Sequence, residues 1–135
     1  MTLIRALAIL ALSCVAMAEE VPPALLRGIL ATESHSTIRA DGSIEYGDQR
    51  VGAAGERGPT QIGRMVIRQW HLSAHRLQTD TRYAMAATIR HLLWLRAHLD
   101  SWEDVPAAYN GGINGRFRIQ SITYARRVKA AGESQ

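Results

Sequence analysis

One carboxyl group stands out early in the sequence, because it lies on a helix face that should be apolar. Glu33 is at helical spacing from Leu26 and Ile29, and it shares their stripe. Apolar neighbours and the negative end of a helix both raise the pKa of a carboxyl group. A carboxyl that stays protonated near neutral pH is a general acid, which can protonate a leaving oxygen. The alternative is a glutamate at the helix edge that reaches into water.

The elements that must position this acid are mostly helices. Pro22 and Pro23 open the helix that carries Glu33, Asp80 caps a long helix, and Asn110 precedes two glycines that stop a short one. The fold class is therefore predicted to be mainly α, with about five helices. They span about 24–36, about 59–71, a long segment after Asp80, a short segment ending at Asn110, and about 121–131.

A long loop separates the first two predicted helices. Residues 37–58 are rich in Gly, Asp and polar side chains and show no helical period, although short strands could form at 44–46. A loop of this length in a small domain is usually functional.

The first residues of the 135-residue chain read as a secretory signal peptide. Arg5 precedes an apolar run from Ala6 to Val15, and a small-residue cleavage site, Ala16-Met17-Ala18, follows. We therefore expect 1–18 to be removed and 19–135 to form a single exported domain.

The only cysteine, Cys14, lies within the predicted signal peptide, so the mature domain is expected to lack thiols and disulfides. The alternative is a lipoprotein that keeps Cys14 as its acylated residue. Beyond this segment the sequence contains no apolar run long enough for a membrane helix.

The net charge of +4 comes from dispersed arginines. This dispersion indicates solvated helix faces and argues against a surface that binds nucleic acid. His71 and His75 are four residues apart but have no cysteine or acidic residue nearby. No phosphate loop or cofactor motif is present, so we expect neither metal nor cofactor.

Three motifs, in order, make the chain resemble the lysozyme-like lytic transglycosylases, specifically the catalytic domain of the soluble lytic transglycosylase family. They are ATESHS at 31–36, GERGPTQIG at 55–63 and AAYNGG at 107–112. A looser match is Tyr124 in TYARRV. The resemblance covers about 22–131, and the motifs are more specific together than singly.

The resemblance implies a lysozyme-like fold and a role for each matching residue. Glu33 would be the catalytic acid and base that cleaves the bond between N-acetylmuramic acid and N-acetylglucosamine and closes a 1,6-anhydro ring. Each of the other residues also has a structural alternative, such as a helix cap or a core position. The resemblance places substrate contacts at Ser34, Gln61, Tyr109, Asn110 and Tyr124.

The sequence departs from the family within GERGPTQI, where the family commonly has small or apolar residues. Glu56 stands there, and Glu45 and Asp48 lie in the preceding loop. Either Glu56 or Asp48 could supply a second carboxylate that activates water, as expected for a hydrolytic, goose-type-like lysozyme. A non-catalytic peptidoglycan-binding module is the alternative from another class.

The resemblance and the signal peptide together imply a location and partners. We expect the bacterial periplasm or cell envelope, with peptidoglycan glycan strands as the substrate. So small a domain resembles the enzymes that open the wall locally for a secretion, pilus or conjugation assembly. We expect a monomer without a stable membrane anchor or nucleic-acid partner.

Overall fold

The computed structural model describes residues 21–134, so the predicted signal peptide with Cys14 lies outside the described residues. The prediction of a mainly α fold is confirmed, since 59% of the described residues are helical and the only sheet within 21–134 has two strands. The elements are α1 (Pro23–Ser34), β1 (Thr37–Ile38), β2 (Ile44–Glu45), α2 (Arg64–Gln69), α3 (Ala74–Thr79), α4 (Thr81–His98), a 3-10 turn (Trp102–Asp104), α5 (Val105–Gly111) and α6 (Ile119–Glu133).

Helices α1 and α6 run antiparallel and approach each other backbone to backbone. A β-carbon on Gly28 would overlap the carbonyl oxygen of Val128, and one on Gly132 would overlap that of Ala24. Moving four residues forward along α1 therefore corresponds to moving four residues backward along α6. The same register brings the last turn of α1, which carries Glu33, opposite Tyr124.

The main core lies between α1, α4, α5 and α6, and a second cluster packs α3 and α4 against the segment before α2. Burial of these apolar side chains drives the helices together and fixes the end of α1 over the long loop. The main core includes Ile29, Leu92, Leu95, Val105 and Val128, and the second cluster includes Ile62, Leu77, Ala84 and Ala87.

The second helix was predicted at about 59–71, and this range is wrong because 58–62 forms a tight turn. Gly58 and Gln61 have positive φ angles of 78° and 52°, and an antiparallel bridge joins Arg57 to Ile62. The helix itself covers only Arg64–Gln69. Positive φ at a residue other than glycine is uncommon, so the sequence gives little warning of this turn.

The number and ends of the helices also differ from the prediction of about five. The sixth is α3, where the Ser73 hydroxyl caps the first turn by accepting from the Arg76 amide at 3.1 Å. Helix α1 stops at Ser34, because His35 adopts a left-handed conformation with φ 54°. The fifth predicted helix, α6, begins at Ile119, two residues earlier than expected.

The long loop contains a small antiparallel hairpin, which confirms a strand within 44–46. Thr37 pairs with Glu45 and Ile38 with Ile44. Every helix within residues 21–134 falls short of the length and apolarity that spanning a bilayer demands.

Candidate active site

Glu33 lines a cavity of about 420 Å³ between the end of α1 and the long loop. The same cavity brings Gln61 and Asp48 to Glu33, although the three residues are far apart in the sequence. The lining consists of Glu33, Asp48, Arg50, Val51, Gly52, Ala53 and Gln61.

Burial raises the pKa of the Glu33 carboxyl, as the apolar helix stripe predicts. Three neighbours modify this effect: the Tyr124 phenol and the Arg127 guanidinium lower the pKa, and the negative charge of Glu56 raises it. Burial dominates, and the net shift is upward. The carboxyl thus holds its proton to a higher pH than an exposed glutamate does.

Tyr124 is buried, at 2% exposure, beside the Glu33 carboxyl. Its hydroxyl makes no hydrogen bond of ordinary geometry within the described part of the chain, but it lies close enough to the Glu33 carboxyl to lower the pKa of that group. Burial, and next the charge of Glu33, raise the pKa of the phenol well above its usual range. Tyr124 is therefore a donor aimed at the acid.

Gln61 presents an acceptor to the cavity, because both hydrogens of its side-chain amide are already used. Its Nε2 donates to the carbonyl oxygens of Arg50 at 2.9 Å and Gly58 at 3.0 Å. Two carbonyl partners fix the orientation of the amide, since only the nitrogen can donate to them. The Oε1 atom is left to accept from a ligand.

Tyr109 acts on Gln61 through the backbone. Its hydroxyl donates to the Thr60 carbonyl at 2.7 Å, and the Thr60 hydroxyl bonds that of Thr88 on α4 at 2.6 Å. Burial raises the pKa of the Tyr109 phenol, and the charge of Glu33 acts in the same direction. The phenol is thus committed to holding the turn that carries Gln61.

Ser34 is turned into the protein, although it follows Glu33 directly. Its hydroxyl donates to the Leu30 carbonyl at 3.2 Å and lies 2.6 Å from the Ser36 hydroxyl, which accepts from the Gly47 amide at 3.0 Å. This chain of bonds ties the long loop to the end of α1. Ser34 therefore positions the cavity wall.

Asn110 is exposed at the end of α5, and it is not among the residues that line the cavity. Its Oδ1 accepts from the Ser121 hydroxyl at 3.1 Å, which links α5 to α6. This bond gives Asn110 a role between the two helices, and its contact with the substrate stays a prediction.

The two carboxylates of the loop are held differently. Asp48 lines the cavity and forms an ion pair with Arg50 at 2.6 Å. Glu56 accepts from the Ala54 amide at 3.1 Å, and its charge reaches Glu33. Glu45, the third acidic residue of this loop, pairs with Arg39 on the exposed hairpin.

Sequence reasoning missed two residues of the site. Arg127 lies on α6, one helical turn after Tyr124. This spacing could have predicted that both side chains lie on the same side of the helix. At Gly52 the loop backbone approaches the side chains of Gln61 and Glu56 closely. The sequence does not single out this glycine, because the loop contains several others.

A larger cavity of about 490 Å³ lies elsewhere, between the start of α1, the 3-10 turn and α6. Its lining is mostly apolar and includes Trp102, Phe117 and Ile122, together with Glu103. None of the predicted site residues contributes to it. The candidate site is therefore identified by the position of Glu33 and not by the size of the cavity.

His71 and His75 are exposed, and the part of the chain that the structure describes holds no group of three or more side chains suited to a metal ion. No family model, curated protein or solved structure matches the chain.

Proposed function

We propose that the chain is an exported peptidoglycan lytic transglycosylase with a lysozyme-like fold. It cleaves the β-1,4 bond between N-acetylmuramic acid and N-acetylglucosamine in the periplasm or cell envelope. The observation that carries this proposal is the Glu33 carboxyl, which is desolvated yet opens into a cavity, beside a buried phenol donor and opposite a fixed amide acceptor.

In the first step, protonated Glu33 donates its proton to the glycosidic oxygen. The bond from that oxygen to C1 breaks, and the departing sugar leaves with a hydroxyl group. The remaining ring develops oxocarbenium character, as in other glycosidic cleavages. A raised pKa supports this step, because the carboxyl must enter it protonated.

In the second step, the Glu33 carboxylate takes the proton from the O6 hydroxyl of the same sugar. O6 attacks C1 and closes the 1,6-anhydro ring, so no water is consumed. The carboxylate recovers its proton and is ready for the next cycle.

Tyr124 and Arg127 favour the carboxylate form of Glu33, which exists between the two steps. Each lowers the pKa of Glu33 and so favours its carboxylate, against the effect of burial. The carboxylate formed after the first step is therefore stabilised by the neighbouring Tyr124 phenol and by the charge of the Arg127 guanidinium. Gln61, whose acceptor faces the cavity, would contact the substrate.

A hydrolytic lysozyme is the second candidate, and the placement of Asp48 and Glu56 favours it. Both belong to the loop that faces Glu33, and a carboxylate across the cleft from the acid could hold a water molecule for attack on C1. The ion pair with Arg50 weakens this role for Asp48.

Digestion of purified sacculi tests the proposal. The muropeptides released should carry 1,6-anhydro ends, and the Glu33→Gln variant should release none. Reducing ends, one water heavier, would identify a lysozyme. Binding to sacculi without release by the wild type would identify a wall-binding module. Local wall opening for a secretion, pilus or conjugation assembly is part of the same proposal.

A further inference from the structure

Two acceptor oxygens, one from Glu56 and one from Gln61, approach each other at Gly52, which lines the cavity. A β-carbon on Gly52 would overlap Glu56 Oε2 and would lie 2.7 Å from Gln61 Oε1. The two oxygens are therefore close enough to accept hydrogen bonds from a single donor atom. Glycine at 52 is what allows this approach.

Neither oxygen has a strong donor of its own. The Gln61 amide donates to two backbone carbonyls, which leaves its oxygen free to accept. Glu56 Oε2 accepts from the Ala54 amide, and no arginine, lysine or histidine of residues 21–134 pairs with Glu56 within 4.0 Å. Asp48, by contrast, already has Arg50 as its cation.

The pair selects its ligand by charge and by the number of hydrogens. An acetamido group offers one N–H hydrogen and brings a carbonyl oxygen toward two acceptors. An ammonium group offers three hydrogens and a positive charge, and hydrogen bonds to charged groups are the stronger class. The acceptor pair therefore matches an amino sugar that has lost its acetyl group.

We propose that Glu56 and Gln61 bind the ammonium group of a glucosamine residue, so that the enzyme prefers glycan strands that are partly de-N-acetylated. This inference rests on the proposed function for its substrate class. It assigns Glu56 to substrate selection, a role separate from that of a second catalytic carboxylate.

Binding measurements test the inference without turnover. The Glu33→Gln variant is titrated by calorimetry with oligomers of glucosamine and of N-acetylglucosamine, at a mildly acidic pH where the amine is protonated. Glucosamine oligomers should bind at least about tenfold more tightly. Adding Glu56→Gln should abolish the preference, whereas adding Asp48→Asn, the matched control, should leave it in place.

Equal affinity for the two oligomers, or a preference that survives Glu56→Gln, would overturn the inference. Loss of the preference with Asp48→Asn would overturn it too, by assigning the effect to the general charge of the cavity. Cleavage of sacculi by the wild type is scored separately. A preference without cleavage refutes the proposed enzyme, and cleavage without a preference refutes only the role of Glu56.

Discussion

The two walls of the Glu33 cavity differ in secondary structure. One wall is the end of α1 backed by α6, where Glu33 and Tyr124 lie among packed helices. The other is the loop from Asp48 to Glu56, which carries an exposed ion pair and holds Gln61 through a backbone carbonyl. The helical wall desolvates its carboxyl group and so raises the pKa of Glu33, whereas the loop wall pairs the Asp48 carboxylate with the Arg50 guanidinium.

In the proposed enzyme, this difference separates proton transfer from substrate recognition. A general acid needs a poorly solvated and rigidly held carboxyl, which packed helices provide. Recognition needs hydrogen-bonding groups that a ligand can reach, which a loop on a rigid scaffold provides. In lysozyme, two carboxyl groups take two roles because their surroundings differ, and the same logic applies to Glu33 and Glu56.

The largest expected effect is on the helical wall. Glu33→Gln should lower the rate of glycan release from sacculi by about a thousandfold or more, because the variant keeps the shape but has no proton to give. Glu103→Gln, in the larger cavity, serves as the control and should keep the wild-type rate. An equal loss in both variants would show that the two cavities do not differ as described.

A smaller loss is expected when the donor beside the acid is removed. Tyr124→Phe should lower kcat about tenfold, since the Glu33 carboxylate loses the phenol that stabilises it. The phenol lowers the pKa of Glu33, so its removal should move the alkaline limb of the pH–rate profile to higher pH. Tyr46→Phe, in the loop, should leave the profile in place. A limb that moves to lower pH in Tyr124→Phe would contradict the assignment.

On the loop wall, Gly52→Ala should raise KM several-fold while kcat changes little. The new β-carbon would overlap Glu56 Oε2 and displace Gln61, at a stability cost of about 1–3 kcal/mol. Gly63→Ala is the matched control, because a β-carbon there has no neighbour within 4 Å. If kcat fell and KM did not, the loop would be part of the proton-transfer machinery.

The smallest effect concerns stability and pH. Because the folded state raises the pKa of Glu33, ionisation opposes folding, and stability falls as pH rises from the ordinary value of 4.5 through the folded value. Glu33→Gln should therefore have a higher Tm than the wild type at neutral pH. The gap should close below pH 4.5, and a lower Tm for the variant at neutral pH would speak against desolvation of the acid.

Much of the site follows from the sequence because it rests on local patterns. The apolar stripe of α1 leads directly to the raised pKa of Glu33. Gln61, which the family resemblance predicts, lines the same cavity. Tyr124 was expected only through the family resemblance, and the close approach of α1 and α6 explains its place. Gly28 and Gly132 make that approach possible. Each faces a residue of the other helix, and such a tertiary contact cannot be predicted from local sequence patterns.

The rest depends on single dihedral angles and distant contacts. Ser34 is buried in the last turn of α1, where its hydroxyl donates to the Leu30 carbonyl, and a left-handed His35 then ends the helix. Gln61 lies in a turn instead of the predicted helix, held there by contacts of Thr60 with Thr88 and Tyr109. Periodicity and motif spacing contain no information about these bonds.

The most direct test of the central claim is digestion of sacculi in water enriched in oxygen-18, followed by mass spectrometry of the released muropeptides. If Glu33 alone serves as acid and base, the products carry 1,6-anhydro ends and no heavy oxygen at C1. Incorporation of one heavy oxygen into each new end would contradict the account and identify water as the nucleophile.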